Sequence, residues 1–187
     1  MAALRTIADH LLDIAQNSVN ASAKHVDLQF METKRDVHIT LKDDGCGMSR
    51  EIFSRVFDPF FTTKNKTKKF GLGLPFLKQN AELTGGYVNL ESKEGVGTVL
   101  KVKFVKNIDC PPLGDLAGTF ASLVTSSPEV EWKILRCFER KCYAFSSDDL
   151  KGIDLTLPRT IKSIFDFFEH MESKIQKNGG VNDAHDR

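Results

Sequence analysis

The sequence predicts a two-layer α/β (α+β) sandwich: a mixed sheet with helices on one face, followed by a small α-β-β-α module. Three observations carry this. Apolar residues recur at helical spacing over residues 4–21 and 71–84, they alternate in pairs of strand-length segments, and a double proline at 111–112 divides the chain. Leu4, Ile7, Ala8, Leu11, Leu12, Ala15 and Val19 form the apolar stripe of the first helix. Val26, Leu28 and Phe30 alternate with polar residues as a strand, and Val37, Ile39 and Leu41 repeat the pattern after a turn at 33–36. Ser49 is placed to cap a short helix over 50–56, and 62–70 reads as a loop. Gly85-Gly86 ends the second long helix. Strands follow over 87–91 and 99–105, so the order is α-β-β-α-α-β-β, which suits a sheet covered on one side.

The domain division places an N-terminal domain at 1–106, a linker at 107–112, an accessory module at 113–177 and a fraying tail at 178–187. In the module, Leu113, Leu116, Phe120 and Leu123 predict a helix. Trp132, Ile134 and Leu135 predict a strand, Cys142, Ala144 and Phe145 a second one, and Ser147 a capped turn. Pro158 opens a last helix carrying Ile161, Ile164, Phe165, Phe168 and Met171 on one face. A unit this small is expected to pack on the larger domain.

Composition excludes several classes. A net charge of +1 over 187 residues argues against a coat for nucleic acid or anionic membrane. No apolar run reaches the roughly 18 residues of a membrane span, and the N-terminus lacks the pattern of a signal peptide. Four cysteines without a Cys-x-x-Cys pair predict neither a disulfide scaffold nor a zinc site. Cys137 and Cys142 read as buried apolar residues, and the compartment as a reducing cytoplasm.

Four clusters carry chemistry. His10, Asp13, Asn17 and Asn20 share one helix face. An Asp and an Asn one turn apart can hold a hydrated Mg²⁺ and position a water, although the same residues also suit a solvated surface. In Asp43-Asp44-Gly45-Cys46-Gly47-Met48, a strand-end carboxylate can accept from the exocyclic amine of adenine, where guanine offers a carbonyl; a hairpin turn is the other reading. Phe57, Phe60 and Phe61 precede a loop rich in lysine, including Lys64 and Lys68, that could close over a polyphosphate or stay solvated. Gly71-Leu72-Gly73-Leu74 opens a helix whose free N–H groups suit an anion, without the context of a Rossmann or P-loop motif.

Taken in order, Asn17, Asp43-x-Gly45-x-Gly47, Phe57-Asp58-Pro59-Phe60-Phe61 and Gly71-Leu72-Gly73-Leu74 resemble the N, G1, F and G2 boxes of the histidine-kinase-like ATPases. This superfamily, with the Bergerat fold, includes the ATP sites of DNA gyrase B, heat-shock chaperones, histidine kinases and MutL. The resemblance covers residues 5–105, and the stretch 91–98 looks like the strand-turn-strand that closes that domain. It implies ATP and Mg²⁺ as cofactors. Asn17 would hold the metal, Asp43 the adenine amine, and Gly45 and Gly47 would leave room for the base, with Thr98 near it. Asn20 and Met48 join the ATP-binding set, Lys64 and Lys68 belong to the lid, and Gly71, Leu72, Gly73 and Leu74 cradle the phosphates.

Two positions depart from the family pattern. Lys69 stands where the glycine box usually begins, and Asp13 stands where the water-activating members place a glutamate. Asn17-Ser18-Val19-Asn20-Ala21 is similar to the gyrase and MutL branch, whereas the lid and glycine box are similar to the histidine kinase and anti-sigma kinase branch. Few residues precede the Asn17 helix, so no helical pair bearing a phosphoacceptor histidine is expected, and His10 reads as an ordinary helix residue. The resemblance implies an ATP-binding protein that hydrolyses ATP or passes its γ-phosphate to a partner protein, with Asp13 as catalytic base. A nucleotide-gated interaction switch is the alternative. Neither nucleic acid nor membrane is an expected partner.

Overall fold

A computed structural model describes residues 6–61 and 72–176. Leu4, the lysine-rich loop with Lys64 and Lys68, Gly71 and the tail 178–187 lie outside the described residues. The elements are α1 (Ile7–Asn20), β1 (His25–Glu32), β2 (Asp36–Asp43), α2 (Arg50–Arg55), α3 (Gly73–Leu83), β3 (Tyr87–Lys93), β4 (Gly97–Val105), α4 (Leu116–Ser126), β5 (Glu131–Phe138), β6 (Lys141–Ser146), a 3₁₀ turn (Ser147–Leu150) and α5 (Pro158–Gln176).

The six strands form one mixed sheet in the order β3-β4-β2-β1-β5-β6. β1 and β5 run parallel, and the other neighbours are antiparallel. Because strand side chains alternate, register decides which residues meet. Leu28 pairs with Leu41 and Ile134, Phe30 with Ile39, and Leu41 with Leu100. All are buried, and together they make the face covered by the helices. The opposite face carries Asp27, Gln29, Lys42, Lys101 and Lys133 in solvent. This is the two-layer arrangement that the alternation predicts.

α1 starts at Ile7 because Thr6 caps it. The Thr6 hydroxyl accepts from the Asp9 N–H at 3.0 Å, and the Asp9 carboxylate accepts from the Thr6 N–H at 2.9 Å. The link after β4 completes that cap, since the Ile7 and Ala8 N–H groups donate to the Pro112 and Leu113 carbonyls, both at 2.9 Å. The buried face of α1 includes His10 and Ser18, which sequence periodicity leaves among the polar residues, whereas Leu12 is 39% exposed.

His10 is therefore not an ordinary surface residue. It is fully buried, its Nε2 lies 2.8 Å from Asn80 Nδ2 on α3, and its Nδ1 has no hydrogen-bond partner among the described residues. Burial lowers its pKa below 6.5, partly offset by Asp9. The unfolded chain then takes up a proton first as pH falls. The His10 contribution to stability is present above pH 6.5 and is lost as pH drops through that value toward the lowered folded pKa. Melting temperature should fall over this window in the native chain, and His10→Gln should flatten the fall.

The predicted α-β-β-α segment is present as α4-β5-β6-α5. Its strands continue the N-terminal sheet through the β1–β5 pairing, and Phe120 of α4 lies 6.4 Å from Phe30 and 5.7 Å from Phe168. A buried ionic network ties the junction. Arg136, with no exposed surface, donates to Glu32, to Glu172 at 3.1 Å and to the Cys137 carbonyl at 2.6 Å. Lys106 reaches Glu32 at 2.6 Å, and the Tyr143 hydroxyl donates to Glu172 at 2.8 Å. Burial and the adjacent Glu172 push the Tyr143 hydroxyl pKa up, so it remains a donor. Two cations face two carboxylates, which compensates the cost of burying charge.

Cys137 and Cys142 are not two buried apolar side chains. They sit directly opposite each other on β5 and β6, joined as a disulfide with Cα atoms 4.1 Å apart, and Cys142 is exposed. The two-residue turn Glu139-Arg140, with Glu139 at φ 53°, brings them into register. Cysteine usage thus gives no argument for a reducing compartment. Among the described residues no helix is long and apolar enough to cross a membrane.

Candidate nucleotide site

The site begins where β2 ends. The alternation that buries Val37, Ile39 and Leu41 also turns Asp43 toward the helix layer, where it is 9% exposed. Its Oδ1 accepts from the Gly45 N–H at 3.0 Å and the Thr98 N–H at 3.2 Å, and its Oδ2 accepts from the Ser18 hydroxyl at 2.7 Å. A carboxylate has about four acceptor positions, so one on Oδ2 remains.

Asp44, its neighbour, does different work. It accepts from the Lys24 and His25 N–H groups at 2.7 and 2.9 Å and meets the His25 ring at 2.6 Å. The His25 backbone bond leads the causes that pull its pKa down to about 2. This residue is the turn tie of the Asp-Asp-Gly sequence. No tight hairpin forms there, because the sheet neighbours of β2 are β1 and β4.

The loop after Asp44 is pinned on both sides. The Cys46 N–H donates to the Ala21 carbonyl at 2.9 Å, and the Cys46 carbonyl accepts from Gly95 at 2.8 Å. Gly47 has φ 63°, and a Cβ there would lie 2.0 Å from the Lys93 carbonyl oxygen, so only glycine fits between this loop and the β3–β4 turn. Thr98 adds a side-chain bond to Ser92 at 2.9 Å on the same turn.

The second half of the site is the meeting of α1 and α3. Asp13 is half-buried, and a Cβ on Gly73 would lie 1.7 Å from its Oδ2. The carboxylate therefore packs directly on the first turn of α3, where backbone N–H groups and the helix dipole favour negative charge. Asn17, one turn further along α1, is half-buried, and Asn20 is exposed at the end of the helix. Met48 and Leu74 pack partly against the core, and Leu72 precedes α3 without a capping side chain.

The three phenylalanines separate. Phe57 packs against the core under Lys78 at 4.9 Å, Phe61 lies under Arg55 at 4.3 Å, and Phe60 is 89% exposed, so the base of the loop is held by Phe57 and Phe61 and not by Phe60. Of the expected site residues, Asp43, Gly45 and Thr98 share one hydrogen-bonded cluster, and Asp13 and Gly73 touch. Sequence reading missed Ser18. A serine on the buried side of an amphipathic helix needs an acceptor, and that was its signal.

The class follows from comparison with known proteins. Residues 2–108 match the family described as "Histidine kinase-, DNA gyrase B-, and HSP90-like ATPase". The match spans more than half of the chain, which therefore belongs to that family. Among curated relatives, the chain is 31% identical to Sensor histidine kinase YvrG of Bacillus subtilis (strain 168) over 54% of its own length and 18% of the relative. It is 36% identical to Sporulation kinase A of the same organism over 43% of its length and 13% of the relative. The chain thus spans less than a fifth of these two proteins. A solved structure described as the N-terminal domain of a DNA repair protein superposes with a TM-score of 0.53 at 15% identity, covering 75% of this chain and 52% of that one. That likeness concerns the fold, and its extent exceeds what residues 1–106 alone can supply.

Proposed function

We propose that the chain binds Mg-ATP in this site and uses it in phosphoryl chemistry. The observation that carries the reading is Asp43, a buried strand-end carboxylate held by three donors with one acceptor position left on Oδ2. The exocyclic amine of adenine can donate there, whereas guanine would set a carbonyl against the charge. Ser18 and the Gly45 and Thr98 N–H groups fix the carboxylate's orientation, so less freedom is lost on binding. Ser18→Ala should weaken ATP binding about fivefold, a loss of about 1 kcal/mol, because the carboxylate is held less firmly for the ligand, as titration calorimetry would show.

Asn17, half-buried on α1, would hold Mg²⁺ through its side-chain oxygen, and the metal would offset the negative charge of the phosphates. Leu72, Gly73 and Leu74 at the start of α3 would receive the phosphates, together with Gly71, and Lys64 and Lys68 are the candidate lysines for the phosphate charge; these last three lie outside the described residues. Asn20 and Met48 complete the pocket wall. Asp13 is the candidate base, and the kinase relatives support transfer of the γ-phosphate to a partner protein.

A second reading has its own support. The contact of Asp13 with Gly73 engages that carboxylate in the start of α3, which suits a brace that couples nucleotide to lid in an interaction switch. Phosphate release from Mg-ATP separates the two. Turnover that falls at least about a hundredfold in Asp13→Asn, with ATP affinity retained, marks Asp13 as the base. Turnover unchanged by Asp13→Asn rules the base out, and absence of release in both leaves transfer to a partner or the switch.

A further inference from the structure

β6 closes one side of the sheet, and its outer backbone has no strand partner among the described residues. Antiparallel pairs alternate between close, non-hydrogen-bonded positions and wider, bonded ones. Cys137 and Cys142, at 4.1 Å between Cα atoms, are a close pair. Tyr143 and Phe145 therefore spend their backbone groups on β5, and Cys142, Ala144 and Ser146 direct theirs to the free edge.

Natural edges are blunted by charge, proline or bulges. The other edge strand, β3, carries Glu91 and Lys93. In β6, residues 142–146 hold no charge and no proline. Beside them, between the 3₁₀ turn and α5, runs an apolar groove lined by Phe145, Leu150, Ile153, Ile164 and Phe167, with Ile153 47% and Phe167 38% exposed. An edge and a groove of this kind suit strand addition with apolar anchors.

The charges at the two ends of the strand indicate what adds. Exposed Arg140 precedes the uncharged stretch, beside Lys141 with its buried Nζ, and exposed Asp148-Asp149 follow it. Asp148 pairs with Lys151 at 2.9 Å, while Arg140 and Asp149 have no ion pair among the described residues. A two-fold axis through Ala144 sets an outward-facing residue against an outward-facing residue, Cys142 against Ser146 of the second copy. The same axis sets the cationic end of each strand beside the acidic end of the other. The surface is thus complementary to itself, as a two-fold interface requires.

We propose that the free edge of β6 pairs antiparallel with β6 of a second copy of this chain, joining the two sheets into one of twelve strands. The α5 helices then approach each other across the axis and cover Phe167. The nucleotide site lies toward the opposite side of the sheet, so the contact leaves it open.

Sedimentation equilibrium of the full chain over a concentration series tests this. A concentration-dependent dimer is expected, and Ala144→Pro should weaken it at least about tenfold, because the proline removes an outward N–H while leaving the β5 ladder intact. Its melting temperature reports that the fold survives. Two charge variants remove any dependence on the proline. Arg140→Glu, and Asp148→Lys with Asp149→Lys, should each be monomeric alone and should pair when mixed. A monomer at every concentration overturns the proposal and leaves the edge to a different protein. A dimer indifferent to Ala144→Pro and to both charge variants overturns it as well.

Discussion

Asp43→Asn is expected to weaken ATP binding by about 10- to 100-fold, the worth of a hydrogen bond to a charged group at about 1.5–3 kcal/mol. The amide has nearly the same shape, so the fold should persist. Its oxygen best stays with the Gly45 and Thr98 N–H groups, two donors that a nitrogen could not serve. The new –NH₂ then faces Ser18 and the position of the adenine amine. Ser18 can turn its hydroxyl to accept, but the adenine amine cannot. Guanine, with a carbonyl there, loses nothing, so discrimination between ADP and GDP should narrow. Competition titrations of the two diphosphates against the native and variant chains check both effects. A variant with unchanged ADP affinity would remove Asp43 from the site.

The largest expected loss of stability belongs to Arg136→Met. The guanidinium is fully buried and bonds to Glu32, Glu172 and the Cys137 carbonyl. Methionine fills part of the volume but leaves two buried carboxylates with less compensation. Lys106 still serves Glu32, but Glu172 keeps only the neutral Tyr143 hydroxyl and loses its cation in the interior. Breaking a buried network in this way costs about 3–5 kcal/mol, a large share of the 5–15 kcal/mol that typically holds a domain together. Urea unfolding should show a lower midpoint with an unchanged slope. A loss below about 1 kcal/mol would mean that the network adds little beyond the packing of β5 on β1.

Much of this architecture is legible in local pattern. The alternations of β1, β2 and β4 are written in residues whose neighbours in sequence face solvent. The glycines at 85–86 stop α3 near where the chain must turn back. Asp43 is a candidate in the sequence only in company: alone, Asp-Asp-Gly suits a hairpin turn as well, and the order of the four motifs is what singles it out. What escaped local reading is long-range. The parallel pairing of β1 with β5 joins segments about a hundred residues apart, and nothing in either strand announces it. Arg136 did leave a trace, since it continues the buried positions Trp132 and Ile134, where an arginine demands acid partners. The disulfide also left one. Cysteines five apart across a two-residue turn fall directly opposite, but that register follows only once the turn is known to hold two residues. His10 looked polar because its partner, Asn80, lies seventy residues away on α3.

Ser18 and Asp13 show the same division at the site. Both stand on α1, and periodicity assigns their faces. Only the fold brings Ser18 under Asp43 and sets Asp13 against Gly73. The Asp13–Gly73 contact ties α1 to the start of α3, and any substitution of Gly73 must move one of the two.

Equilibrium titration of the native chain with ATP and with GTP, in the presence of Mg²⁺, addresses the central claim most directly. One ATP site per chain and a clear preference for ATP over GTP are expected. A folded chain that takes up no ATP, or that binds GTP equally well, would contradict the assignment of Asp43 as the reader of adenine.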